Sequence, residues 1–138
     1  MNPKAIIASV ITSFVLSAIT AIPLVNAEEY VPKAIVNKLY QAALPGVDGK
    51  EMTVVHITAP AGYIGGKHKH PGPVYVYVLK GELTVELEEG DKTFKAGEFY
   101  PEDINTAMTG KNLSTSDDFE ILVFQVGDVG KPMMIKVE

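Results

Sequence analysis

Two histidines, His68 and His70, stand two residues apart and alternate with Lys67 and Lys69. In an extended strand, residues i and i+2 project to the same side, so this spacing aims two imidazoles at one point. Neutral imidazole is the commonest nitrogen ligand for first-row transition metals. A neighbouring pair can hold such an ion or hydrogen-bond a polar group on a small ligand. If the backbone is not extended there, the same residues are two solvated histidines in a loop.

The third histidine, His56, falls in the alternating β-branched run Glu51–Thr58. Met52, Val54 and His56 share one face of that strand, and Thr53, Val55 and Ile57 share the other. Either face could be the core, so the direction of His56 stays open. Turned inward it would add a third imidazole; turned outward it is a packed or surface histidine.

The elements that must position these residues read as strands. Val74–Leu79 alternates valine with tyrosine. Leu83, Val85 and Leu87 alternate with Glu82, Thr84, Glu86 and Glu88, predicting one buried and one wet face. Glu120–Val126 and Met133–Val137 are further strand candidates. Pro45-Gly46, Pro60-Ala61-Gly62, Gly65-Gly66, Lys80-Gly81, Gly90-Asp91, Gly97 and Gly127 punctuate them as turns. Pro32–Ala43 fits either a helix or an edge strand, and Ser114–Asp118 reads as a polar loop. Many short strands at this spacing predict an all-β sandwich or barrel.

With this framework the sequence resembles the cupin family. That family's first motif is a glycine, five residues, His-x-His, three or four residues, a glutamate, six residues and a glycine. Here Gly62 precedes His68-Lys69-His70 by that interval, and Pro71-Gly72-Pro73 leads to position 74, with Gly81 in place. The glutamate position holds Val74. In the second motif Gly97 and Asn112 have the expected separation, while Asp103 stands for its proline, Asn105 for its glycine and Met108 for its histidine. The resemblance spans residues 51–126. It implies an antiparallel double-stranded β-barrel of the cupin or jelly-roll type with a site in its mouth, but not a particular activity.

The family's complete site offers three imidazoles and a carboxylate to Mn, Fe, Ni or Zn. This chain keeps two imidazoles, so a metal needs another donor. His56 is one source. Met108 is a second, and a His68/His70/Met108 set would suit Cu(I). A carboxylate from Glu98, Glu102 or Asp103 is a third. Alternatively no metal binds: Val74 and Met108 convert part of a metal pocket into an apolar one, with His68 and His70 orienting a small ligand and Tyr100 reaching it. Tyr75 and Tyr77 have the opposite parity to Val74 and are expected on the other face, against a second sheet or a partner subunit. A homodimer is expected by analogy of fold.

Two function classes follow: a non-catalytic small-molecule or metal-binding module, and a metal-dependent enzyme of dioxygenase or isomerase type centred on His68 and His70. The first is preferred, because the departures remove the charge and the third imidazole that turnover normally needs.

Composition narrows the rest. The chain has 138 residues, enough for one domain. It contains no cysteine, which excludes thiol catalysis, disulfides and Cys-based zinc sites. Its net charge is −5, and no residue is arginine, which argues against nucleic acid as a partner. No phosphate-binding loop or nucleophile elbow is present. Lys4, the apolar run Ala5–Ile22, Pro23 and Val25-Asn26-Ala27 have the layout of a secretory signal peptide, residues 1–27. The expected mature domain, residues 28–138, is then periplasmic or secreted, with no membrane span after cleavage. An uncleaved membrane anchor is the alternative for that run.

Overall fold

The computed structural model describes residues 30–138, so the expected leader lies outside the described residues. Among the described residues all regular structure is strand, and no helix is long and apolar enough to cross a membrane. The elements are β1 (Ile35–Ala43), β2 (Lys50–Ala59), β3 (His68–Lys69), β4 (Val74–Lys80), β5 (Glu82–Glu86), β6 (Lys92–Lys95), β7 (Phe99–Glu102), β8 (Thr109–Lys111), β9 (Phe119–Asp128) and β10 (Ile135–Lys136).

Every pairing is antiparallel. One sheet has the order β1-β2-β9-β4-β7, a second β6-β5-β8, and a third is the pair β10-β3. Isolated bridges Ile64–Lys111 and His68–Met108 carry the second sheet toward the third, giving two facing layers. The expected barrel is thus realised as sheets that enclose a core, and none of them closes on itself through continuous pairing.

The alternation in β4 dictates the packing. Val74, Val76 and Val78 are buried while Tyr75, Tyr77 and Leu79 are exposed. The inward valines meet Ile121 and Val123 of β9, Val55 of β2, and Leu83 and Val85 of β5 from the facing layer. Burying a Val or Leu side chain contributes roughly 1.5–3 kcal/mol, so this two-layer core supplies most of what orders the chain. On the outer face Tyr75 stacks on Phe99 at 5.7 Å. Tyr75 and Tyr77 therefore face away from the core, as their parity requires.

Two local readings resolve. Pro32–Ala43 supplies the edge strand β1 and no helix. Thr84, expected on a wet face, is buried: its hydroxyl shares a hydrogen bond with that of Thr93 at 2.9 Å. The Lys111–Glu86 ion pair joins the other edge of β5 to β8.

Asn105 is the one non-glycine residue with positive φ among the described residues, at 59°. Asparagine tolerates this left-handed turn where most side chains clash. Its amide donates to the His70 carbonyl at 2.8 Å, so the turn also fixes the backbone beside the site.

Candidate functional site

His68 and His70 are held by backbone on both sides. His68 exchanges two hydrogen bonds with Met108, N–H to carbonyl in each direction, at 2.9 and 2.8 Å. This extended pairing puts the two rings together, with centroids 4.9 Å apart and planes at 89°.

Each ring is also oriented from behind. His68 Nδ1 lies 2.9 Å from the Gly66 carbonyl, and His70 Nδ1 lies 2.7 Å from the Met133 carbonyl. A carbonyl only accepts, so both Nδ1 atoms carry the proton. In the neutral rings both Nε2 atoms are left with free lone pairs. Anchoring Nδ1 in this way is how proteins fix the tautomer of imidazoles that ligate or hydrogen-bond through Nε2.

His70 Nε2 faces a carboxylate. Glu102 Oε2 lies 3.1 Å away, with the two side chains only 8% and 9% exposed. The approach is close in distance but lacks hydrogen-bond direction, and Glu102 Oε2 is buried with no hydrogen-bond partner among the described residues. Burial pushes the Glu102 carboxyl up to about 7. Burial also lowers the His70 imidazole, opposed by its bond to the Met133 carbonyl, lowered further by His68 and raised by Gln125. Both groups are thereby driven toward their neutral forms.

Glu102 reaches this position through register. Val74 pairs with Glu102 on one side and with Gln125 on the other. Val74, Gln125 and Thr53, the β2 partner of Gln125, are all buried. Gln125 Nε2 donates to the Met133 carbonyl at 2.7 Å, the same oxygen that receives His70 Nδ1–H.

Both histidines line a chamber of about 410 Å³. Its walls are Val55, Ile57, Val76, Leu83, Val85, Met108, Phe119, Ile121 and Val123, with Met133 and Tyr63 beside the histidines. Glu102 is the single acidic residue in the lining. Cavities of this size and apolar character accept small organic molecules.

The structure brings His68, His70 and Met108 together and adds Glu102. It sets His56 apart. Val55 and Ile57 take the chamber face of β2, so His56 points the other way, its Nε2 3.2 Å from Glu120 Oε2. The inward direction considered for His56 is corrected by the strand's parity: the larger apolar pair on its neighbours takes the core. Tyr100 is buried in the core, stacked on Phe94 at 4.3 Å, and is absent from the chamber lining. Its hydroxyl is raised to about 12, first by burial and then by Glu102 and Asp103. Of the three carboxylate candidates, Glu98 caps its own turn by accepting the Lys95 amide, and Asp103 is exposed. Gln125 and Met133 went unnoticed in the sequence. The strict alternation of β9 put Gln125 on the core face, and a lone amide there is a usable signal.

Among the described residues no three His, Cys, Asp or Glu side chains come close enough together to enclose an ion.

A cupin domain pattern matches residues 54–124, half of the chain. The chain belongs to the cupin family. Solved structures place this cupin among distant relatives. An RmlC-like cupin family protein with a double-stranded β-helix fold from Methanocaldococcus jannaschii is 24% identical, covers 74% of this chain and 94% of its own, and has a TM-score of 0.58. The polyketide cyclase RemF from Streptomyces resistomycificus is 16% identical over 81% of this chain and 77% of its own, at 0.60. The DMSP lyase DddQ from Ruegeria pomeroyi is 17% identical over 78% of this chain and 52% of its own, at 0.58. No curated protein matches this cupin. Identities this low speak for the fold, and the named activities differ from one neighbour to the next.

Proposed function

We propose that this cupin binds a small, mainly apolar molecule in its chamber and orients it through His68 and His70. The observation that carries this reading is the lining itself: a mainly aliphatic volume of about 410 Å³ that the two paired, backbone-anchored imidazoles also line. Such a site gains affinity from apolar burial and direction from a few fixed polar groups. The expected export of residues 28–138 would place this binding outside the cytoplasm. The exposed Tyr75, Tyr77, Leu79 and Phe99 support a homodimer, since an apolar outer sheet face gains from being covered.

The test is a methyl NMR titration of the purified protein with 1-octanol. Chamber methyls of Val76, Leu83, Val85 and Val123 are expected to shift, and those of outward-facing Leu79 to stay. Chamber methyls unmoved up to the solubility limit would sink the proposal.

A second reading is favoured by the unpartnered Glu102 Oε2. His68, His70 and Glu102 offer donor types that fit Mn, Fe, Ni or Zn, with Met108 as a softer donor for copper, and their side chains would have to draw together to enclose the ion. A bound ion would supply Lewis acidity. The chain's own residues would fix the tautomers from behind, exclude water with the apolar wall, and place a ligand against the ion. Metal analysis of the purified protein decides it: near one equivalent, lost in His68→Ala/His70→Ala, supports the reading, and background metal in both removes it.

A further inference from the structure

The opening of the chamber has a charge of its own. The lining residues that are also exposed are Val36, Gly66, Lys67, Met134 and Lys136. Two of these carry charge, and both charges are positive. Lys136 lies on β10 as the register partner of His68, and Lys67 immediately precedes β3, its carbonyl accepting the Val137 amide at 3.0 Å.

This local sign runs against the whole chain, whose net charge is −5. Among the described residues Lys50, Lys80, Lys92, Lys95 and Lys111 are matched with carboxylates, while Lys33, Lys38, Lys69 and Lys131 form no ion pair. Lys67 and Lys136 form no ion pair among the described residues. Glu102, the acidic residue of the lining, is buried against His70, its side chain 9% exposed, whereas Lys67 and Lys136 flank His68 at the surface.

Resting on the chamber reading above, we propose that the ligand is an amphipathic organic carboxylate, its apolar body inside the chamber and its anionic group at the rim between Lys67 and Lys136. The reverse orientation is disfavoured. A carboxylate driven inward would be stripped of water among aliphatic side chains and brought toward Glu102. At the rim it stays partly hydrated while two ammonium groups attract it. A cationic head would meet two like charges there and no opposite one.

The test compares octanoate, 1-octanol and octylammonium, followed by calorimetry and by the same chamber methyls. Octanoate should bind more tightly than octanol, and octylammonium most weakly. Lys67→Gln/Lys136→Gln should weaken octanoate by about tenfold, about threefold for each exposed charge removed, and leave octanol unchanged. Raising the salt should weaken octanoate alone. Lys69→Gln, a charge removed two residues from Lys67 at a residue outside the lining, should have little effect.

Equal affinity for octanoate and octanol would overturn the carboxylate assignment while leaving the chamber intact. So would an unchanged octanoate affinity in the double variant, or an equal loss in Lys69→Gln. Failure of all three probes to reach the chamber methyls would overturn the chamber reading itself, and this assignment with it.

Discussion

Val74 and Glu102 are direct partners across the β4–β7 ladder. The first cupin motif calls for a glutamate at position 74. This chain buries a valine there, 1% exposed, and presents a carboxylate from the adjacent strand at the same level. The carboxyl group of the site is thus retained at a shifted address.

Restoring the family residue should therefore harm this protein. Val74→Glu would set a second buried carboxyl beside Glu102, with no cation near either. A loss of about 3 kcal/mol or more in urea unfolding is expected. Adding Glu102→Val should recover part of that loss. The coupling from the double-mutant cycle measures the exchange, and strictly additive effects would contradict it.

Stability should also depend on pH through Glu102. Its folded pKa is raised to about 7 from 4.5. Between those values the native state binds more protons than the unfolded state, so the contribution is complete below about pH 4.5 and is lost as pH rises through 7. Glu102→Gln lacks this loss. Relative to wild type, the metal-free variant should gain up to about 3 kcal/mol between pH 4.5 and 8. His70, lowered by burial, pulls the opposite way in both proteins and loses stability as pH falls below its unfolded value. A stability difference that stays flat across this range would contradict the buried carboxyl.

Asn112 ties three segments together. Its side-chain amide donates to the Ala59 and Asp117 carbonyls at 3.0 and 2.9 Å, and its Oδ1 accepts the Ser114 amide at 3.1 Å. Asn112→Ala should cost about 2–4 kcal/mol by leaving buried backbone groups unpaired. Hydrogen exchange should quicken first at Ser114, whose amide loses its acceptor.

The turn at Asn105 can be tested separately from its side chain. Asn105→Gly should be within about 0.5 kcal/mol of wild type, whereas Asn105→Val should lose about 1–2 kcal/mol from the φ of 59°. Thermal unfolding of the pair checks this, and the His70 ring resonances should move only in the valine variant.

His56 and His70 should separate cleanly in function. His56→Ala removes a part-buried pairing with Glu120 outside the chamber and should cost about 1 kcal/mol, with octanol binding intact. His70→Ala should alter the chamber methyl shifts of the bound probe.

Strand content was legible because β4 alternates strictly and β2 and β9 are rich in β-branched and apolar residues, and the His-x-His spacing identified the paired rings. Three short strands, β6, β7 and β8, escaped notice: Lys92–Lys95 and Thr109–Lys111 are too short and polar to show a period, and Pro101 interrupts Phe99–Glu102. That last omission left Glu102 level with Glu98 and Asp103 as a candidate, since only the ladder to Val74 aims it inward. The direction of His56 was undecidable locally because both faces of β2 are apolar. Tertiary packing chose the face with Val55 and Ile57.

The Met133 carbonyl serves two donors, the His70 ring and the Gln125 amide, and Met133 and Met134 also wall the chamber. One stretch near the carboxyl end thus acts as both shutter and set-screw. Clipping the polypeptide before residue 133 would widen the entrance and, in the same stroke, let an imidazole rooted 63 positions earlier swing free.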